Sequence, residues 1–232
     1  MKRIVLGLCA LGVAASVQAA PTVKLSTGYF YADGQSNDLN TPDSTIQSVP
    51  FSVKIKEGPW GLRLGSSWLE IKNKGSKAES GMGDVTATVS YDLNDAWSVS
   101  LKEKFTTADK DKGLTTGFND TKVQVDYFAT LDNRHSFFAT AGYTFKGGQD
   151  DKPDYQNGVY LSAGIGRVLA TGWTGGVSLD WTQATNRKLD DTFGGSLFIG
   201  HKVNAQWSVS LFGGYDNNST TSAGLGISYK LQ

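Results

Sequence analysis

The chain of 232 residues contains one cysteine, Cys9, and only five prolines. A single cysteine cannot form an internal disulfide, so this protein is not stapled by disulfides as many small secreted domains are. Beyond residue 17, no segment is apolar over the ~18 residues that a membrane-spanning helix needs. Lysine plus arginine (22) equals aspartate plus glutamate (22), which excludes the strong positive field typical of a nucleic-acid-binding protein.

The N-terminus has the organisation of a secretory signal peptide. Lys2 and Arg3 give a basic start, an apolar run follows, and small residues precede a cleavage point. Such segments are removed during export. We expect a signal peptide at 1–19, cleaved there or after Ala20, and a mature chain of 20–232. A membrane anchor is the weaker alternative, because the apolar run is too short.

The segment 83–105 carries the clearest structural pattern. Apolar and polar residues alternate in two arms, and Asn94-Asp95 separates the arms. Strict alternation across a tight turn predicts an antiparallel hairpin with one apolar and one polar face. Each arm has about ten residues, the length that a tilted strand needs to cross a bilayer.

Similar segments recur, and twelve strands can be placed along the chain. Their connections alternate between turns of a few residues and polar loops, among them 33–45, 72–82 and 107–120. This alternation is typical of outer-membrane barrels, in which the short turns are periplasmic and the long loops are extracellular. We therefore predict an all-β fold, a single antiparallel transmembrane β-barrel of twelve strands in the bacterial outer membrane. The alternation fails at the far end of the third strand, 60–71, which predicts a β-bulge there.

The positions of the tryptophans support a membrane-spanning barrel with its short turns at one rim. Four strands begin with tryptophan directly after a short turn, and two more tryptophans lie at opposite strand ends. Because tryptophan favours the membrane interface, the pattern predicts an aromatic girdle at each rim. The expected girdle residues are Trp60, Trp97, Trp173, Trp207, Trp68 and Trp181. The alternative is a soluble β-sandwich with a core of aromatic residues.

If the apolar phase faces lipid, the polar phase lines the lumen. The lining residues predicted in this way are Lys24, Lys54, Lys56, Arg63, Asp92, Lys102, Lys104, Lys122, Asp126 and Asp180, with Lys202 and Lys230 towards the periplasmic end. A surplus of positive charge favours anionic solutes. Alternatively, these charges pair into a network that closes the barrel. Glycines late in the polar phase either open space along one wall or accommodate large neighbours.

An enzyme is the competing class. Histidine is the usual base in hydrolytic sites, but His135 and His201 both belong to the periplasmic ends of predicted strands. The acidic pairs at 150–151 and 190–191 lie in polar loops without the spacing of a cation site. We predict no catalytic residues, no bound cofactor and no metal.

Particular segments resemble a known family. Residues 80–86 (SGMGDVT), 104–107 (KFTT) and 113–117 (GLTTG), followed by Asn119-Asp120, resemble transporter-like outer-membrane barrels related to the meta-pathway phenol-degradation (MetA-like) proteins. The resemblance implies a channel or transporter for small, often aromatic or hydrophobic molecules, with no catalytic residues. A weaker resemblance links the size and the basic lumen to small twelve-stranded porins for acidic oligosaccharides.

One departure concerns the last residue. Outer-membrane barrels commonly end in an aromatic residue that the assembly machinery recognises, whereas this sequence ends in Gln232.

The sequence thus predicts a passive channel for small aromatic, hydrophobic or anionic molecules. Its expected partners are outer-membrane lipid, the barrel-assembly machinery and the solute, with no nucleic acid; the oligomeric state stays open. The alternative is a closed barrel whose extracellular loops have a structural or adhesive role.

Overall fold

The computed structural model describes residues 20–36 and 41–231, which form β-strands joined by turns and irregular loops. The predicted signal peptide at 1–19 lies outside these residues. In chain order the strands are β1 (Thr22–Ser36), β2 (Thr41–Glu57), β3 (Trp60–Asn73), β4 (Glu79–Met82), β5 (Val85–Asp92), β6 (Trp97–Phe105), β7 (Asp120–Thr130), β8 (His135–Phe145), β9 (Gly158–Ala170), β10 (Trp173–Thr182), β11 (Thr192–Lys202), β12 (Trp207–Asp216) and β13 (Thr221–Leu231). Within the described ranges, no helix is long and apolar enough to cross a membrane.

Twelve of the strands in these ranges form one closed antiparallel barrel. From β5 to β13 each strand pairs with the next, β1 pairs with both β13 and β2, and the β2–β3 and β3–β5 ladders complete the ring. The predicted fold class is therefore confirmed, with β4 as one additional strand.

The two ends of the barrel differ in their connections. We call one end the turn end, which carries the connections 58–59, 93–96, 131–134, 171–172 and 203–206. The opposite end, the loop end, carries the other connections, including 106–119 between β6 and β7.

The predicted polar loop at 72–82 is wrong in its last part, where β4 forms. β4 pairs with the end of β3, with Trp68 opposite Met82. Beyond Gly65, β3 no longer pairs with β5, so without β4 its backbone groups on that side would lack partners within the sheet. β1 and β2 likewise extend into the predicted loop at 33–45.

The bulge predicted in the third strand lies instead in the segment that pairs with it, between β4 and β5. β3 pairs with β2 without a register shift. Between the β3–β5 and β3–β4 ladders, the three residues 83–85 face only two on β3, Ser66 and Ser67. The extra residue is accommodated at Gly83-Asp84, where the strand is interrupted. An inserted residue of this kind redirects the side chains beside it.

Contacts across the barrel identify its inner face. In the polar phase, Lys56 of β2 bonds to Asp92 of β5 across β3, and Phe30 of β1 stacks on Phe212 of β12 across β13. Ring contacts of the apolar phase join directly paired strands or stay within one strand. Because side chains converge on a concave surface and diverge on a convex one, the polar phase forms the inner face.

The tryptophans of the predicted girdles lie on the outer face in two groups. Those at the turn end are 41–49% exposed and pack on a ring of the paired strand, with centroids 4.2–4.7 Å apart. They are Trp60, Trp97, Trp173 and Trp207. Trp68 and Trp181 lie toward the loop end of β3 and β10. Their role at the membrane interface stays a prediction.

Three connections at the turn end share one hydrogen-bond pattern. The second residue of each, Asn94, Asp132 or Asn204, accepts backbone N–H groups two and three positions later at 2.7–2.9 Å. These local bonds fix the turn and thereby the register of the hairpin. The N–H donated by Arg134 is the main cause that lowers the pKa of Asp132 to about 2.

We expect Asn204→Ala to destabilise the barrel by about 1 kcal/mol, because two N–H groups lose their acceptor. The measurement is the urea midpoint of folding in lipid vesicles. Asn204→Asp is the matched control, since Asp132 makes the same bonds in the β7–β8 turn. Equal losses in both variants would contradict this account of the turn.

Candidate functional site on the inner face of the barrel

A cluster of polar side chains anchors the connection 106–119 at the loop end. Asp84 Oδ1 accepts the backbone N–H groups of Thr107 and Ala108 at 3.0 and 3.1 Å. Its Oδ2 accepts the hydroxyl of Thr115, a buried residue, at 2.6 Å. A carboxylate with several donors is adequately solvated by the protein itself. The connection is thus pinned to the wall at the β4–β5 junction.

Two lysines complete this loop anchor. Lys104 Nζ lies 2.7 Å from Asp120 Oδ2 and 3.7 Å from Asp84 Oδ2. Lys146 Nζ lies 3.2 Å from Asp120 Oδ2, and its side chain is only 4% exposed. Burying an ammonium group costs several kcal/mol unless an opposite charge accompanies it. Lys104, predicted to line the lumen, is therefore paired with the acidic residues of the loop anchor.

The family-like segments meet at the same anchor. Leu114 is 2% exposed and lies against Gly81, where a methyl group would come within 2.9 Å of Leu114 Cδ1. Gly81 belongs to the segment 80–86 and Leu114 to 113–117. Motifs that are more than twenty residues apart in the sequence thus build one structural unit.

A second set of cations forms a row along the inner wall. We call it the basic row; its members are Lys24, Lys54, Arg63, Lys102 and Lys122. Register pairing joins each member to the next across β1, β2, β3, β5, β6 and β7, with Thr88 of β5 between Arg63 and Lys102.

The basic row runs from one end of the barrel toward the other. Lys24 is the third residue of β1, which begins at the turn end. Lys122 is the third residue of β7, which begins at the loop end. A row of paired residues climbs in this way because barrel strands are tilted against the barrel axis.

The register partners of the basic row include no acidic residue. Among the described residues, no acidic oxygen lies within 4.0 Å of the side-chain nitrogens of Lys24, Lys54, Arg63 or Lys102. Lys122 Nζ lies 4.4 Å from the centroid of the Tyr160 ring, a cation–π contact.

The predicted acidic lining residues have partners outside the basic row. Asp92 pairs with Lys56 at 2.5 Å. Asp126 accepts the hydroxyl of Thr140 at 2.7 Å, and Asp180 accepts hydroxyls of β9 and β10 at 3.1 and 3.0 Å. Charges thus pair at the loop anchor and at Lys56, while the basic row consists of cations only.

Five phenylalanines also occupy the inner face, and as a group they were not predicted from the sequence. This phenylalanine row consists of Phe30, Phe128, Phe138, Phe198 and Phe212. Ring centroids are 5.9 Å apart for Phe30 and Phe212 and 6.0 Å for Phe138 and Phe198. Phe128 is the register partner of Phe138. The available signal was a phenylalanine in the polar phase of a strand.

Glycines make room for these rings. A methyl group on Gly164, Gly176 or Gly224 would overlap the ring of Phe138, Phe198 or Phe212 respectively. At these three positions, the late glycines therefore accommodate large neighbours.

Both histidines are accounted for by local contacts at the turn end. His135 Nδ1 lies 2.8 Å from Asp132 Oδ2, and His201 stacks on Trp173 at 4.2 Å. No group of three or more histidine, cysteine, aspartate or glutamate residues in the described part of the chain is arranged to hold a metal ion.

Known structures share this architecture at low sequence identity. The COG4313 outer membrane channel from Pseudomonas putida F1 aligns with a TM-score of 0.69 and 14% identity over 94% of this chain and 97% of that one. The NanC porin gives 0.62 and 16% over 89% and 100%. The KdgM porin in complex with disordered oligogalacturonate gives 0.60 and 14% over 90% and 99%. No curated protein sequence matches significantly.

The fold is therefore that of a bacterial outer-membrane β-barrel. Within that class, a family model described as "Putative MetA-pathway of phenol degradation" matches residues 48–231. The chain belongs to this family, as the resemblance of its motifs predicted.

We expect Asp84→Ala to release the connection 106–119, because four groups of the anchor lose their common partner. Loss of a buried, multiply bonded acceptor costs about 1–3 kcal/mol, so trypsin should cut after Lys110 or Lys112 roughly tenfold faster in the folded barrel. Asp150→Asn, in the connection between β8 and β9, is the control. Equal cleavage rates in the wild type and Asp84→Ala would contradict the anchoring role.

Proposed function

We propose that this protein is a passive outer-membrane channel for small solutes, with anions preferred. The observation that carries the proposal is the basic row, which follows the inner wall from near the turn end toward the loop end. A pore lined by surplus charge of one sign attracts counter-ions and repels ions of like charge. The similar structures named above are channels and porins, which supports a transport role over an enzymatic one.

The geometry favours passage along the inner wall rather than tight binding. Neighbouring members of the basic row on paired strands present several similar sites in sequence. Conduction requires attraction strong enough for entry and weak enough for release, a condition that a series of similar sites meets. No catalytic group needs to act for a solute to pass.

One observation favours the alternative of a closed barrel with surface-exposed loops. The connection 106–119 is tied to the wall by Asp84 and by Lys104, a residue of the inner face, so part of this loop lies at the inner wall. Solute uptake that is unchanged on deleting the protein, together with lost surface adhesion, would favour this alternative.

We expect purified protein to conduct in planar bilayers with chloride preferred over potassium. The variant Arg63→Gln plus Lys102→Gln removes two of the five charges of the basic row and should lower the chloride-to-potassium permeability ratio severalfold. Opposite charges about 4 Å apart attract each other by ~1 kcal/mol in water and by ~4 kcal/mol near a protein surface. Lys188→Gln, a loop lysine paired with Asp154, is the control and should leave the ratio unchanged. A folded barrel that passes no current in potassium chloride would contradict the channel.

A further inference from the structure

The basic row and the phenylalanine row wind around the inner wall in the same direction. The basic row climbs from β1 at the turn end through β2, β3, β5 and β6 to β7. The phenylalanine row begins on β7 near the turn end and climbs through β8, β11 and β12 to β1. Each row therefore covers the part of the wall that the other leaves open.

Two strands fix how the rows face each other. On β1, Phe30 lies six residues beyond Lys24, toward the loop end. On β7, Phe128 lies six residues beyond Lys122, toward the turn end. β1 and β7 are five strand steps apart in one direction around the ring and seven in the other, so they stand on opposite sides. Lys24 thus faces Phe128 near the turn end, and Lys122 faces Phe30 nearer the loop end.

A cation also faces a phenylalanine midway between these two pairs. Arg63 of β3 and Phe198 of β11 are also separated by five and seven strand steps. Across the barrel, a cationic wall therefore stands opposite an aromatic wall over most of the length of the rows.

From this juxtaposition we propose that the preferred solutes are small organic anions that combine one aromatic ring with one carboxylate. The proposal rests on the channel function proposed above and specifies its substrate class. The carboxylate travels along the basic row, where lysine and arginine donate charged hydrogen bonds. The ring travels along the phenylalanine row, where offset or edge-to-face contacts favour another aromatic ring.

The arrangement selects against solutes that have only one of the two features. A simple carboxylate such as acetate is attracted by the basic row alone, and a neutral aromatic such as benzyl alcohol by the phenylalanine row alone. Benzoate satisfies both, so its passage is favoured although its ring makes it bulkier than acetate.

The test compares benzoate and acetate permeability in planar bilayers, from reversal potentials in gradients of their sodium salts. We expect the wild type to pass benzoate roughly threefold better than acetate, in line with one aromatic contact. The variant Phe198→Leu plus Phe212→Leu keeps apolar bulk but removes two rings. It should abolish the benzoate preference in a barrel that still conducts chloride.

Two controls separate this effect from general damage. Phe145→Leu removes a phenylalanine of the outer face that is 50% exposed and should leave the benzoate-to-acetate ratio unchanged. Arg63→Gln plus Lys102→Gln should lower both permeabilities relative to sodium. Folding of each variant is checked by its heat-dependent mobility on gels.

The outcomes distinguish the two proposals. A barrel that conducts chloride but passes benzoate less well than acetate, as size alone dictates, overturns the substrate class and leaves the channel standing. A benzoate preference that survives in the double leucine variant also overturns it. A folded barrel without current in any salt contradicts the channel itself.

Discussion

The structure depends on the requirement that every backbone N–H and C=O group within a membrane has a partner. Twelve strands meet this requirement only because β2 pairs with β3 and β1 with β13, so that the sheet has no free edge. Closure has two further consequences. It divides each alternating strand into an outer and an inner side chain set, and it forces the strands to tilt. The tilt turns rows of paired residues into ramps, and the basic row is such a ramp.

Charge in this protein is organised by position rather than by amount. Acidic and basic residues are equal in number over the whole sequence, yet they are unevenly distributed along the inner wall. Asp84 and Asp120 hold the loop anchor and Asp92 pairs with Lys56, while the basic row passes between these pairs. The net charge therefore gives no indication of the field inside the barrel. A few pairings of named residues determine it.

Local patterns predicted the barrel well, because a period of two and a turn residue such as Asn94 depend only on neighbouring positions. The features that sequence analysis missed depend on register between distant strands. β4 forms because β3 continues beyond the last residue that pairs with β5. The extra residue at Gly83-Asp84 lies where the partner of β3 changes from β5 to β4. The motifs were recognised, but their meeting at Asp84 and Leu114 is a long-range contact. Likewise, each inward phenylalanine is visible alone, but the row that they form emerges only when β7 to β13 and β1 are aligned.

The winding of the rows makes the interior chiral on the scale of a small molecule. The basic row passes from β1 to β7, five of the twelve strand steps around the ring, while it climbs the wall. A molecule that kept one end on each row would turn about the barrel axis during its passage. The sense of that screw is set by the tilt of the strands, and hence by the handedness of the amino acids themselves. Mirror-image solutes would therefore meet different surfaces along the way.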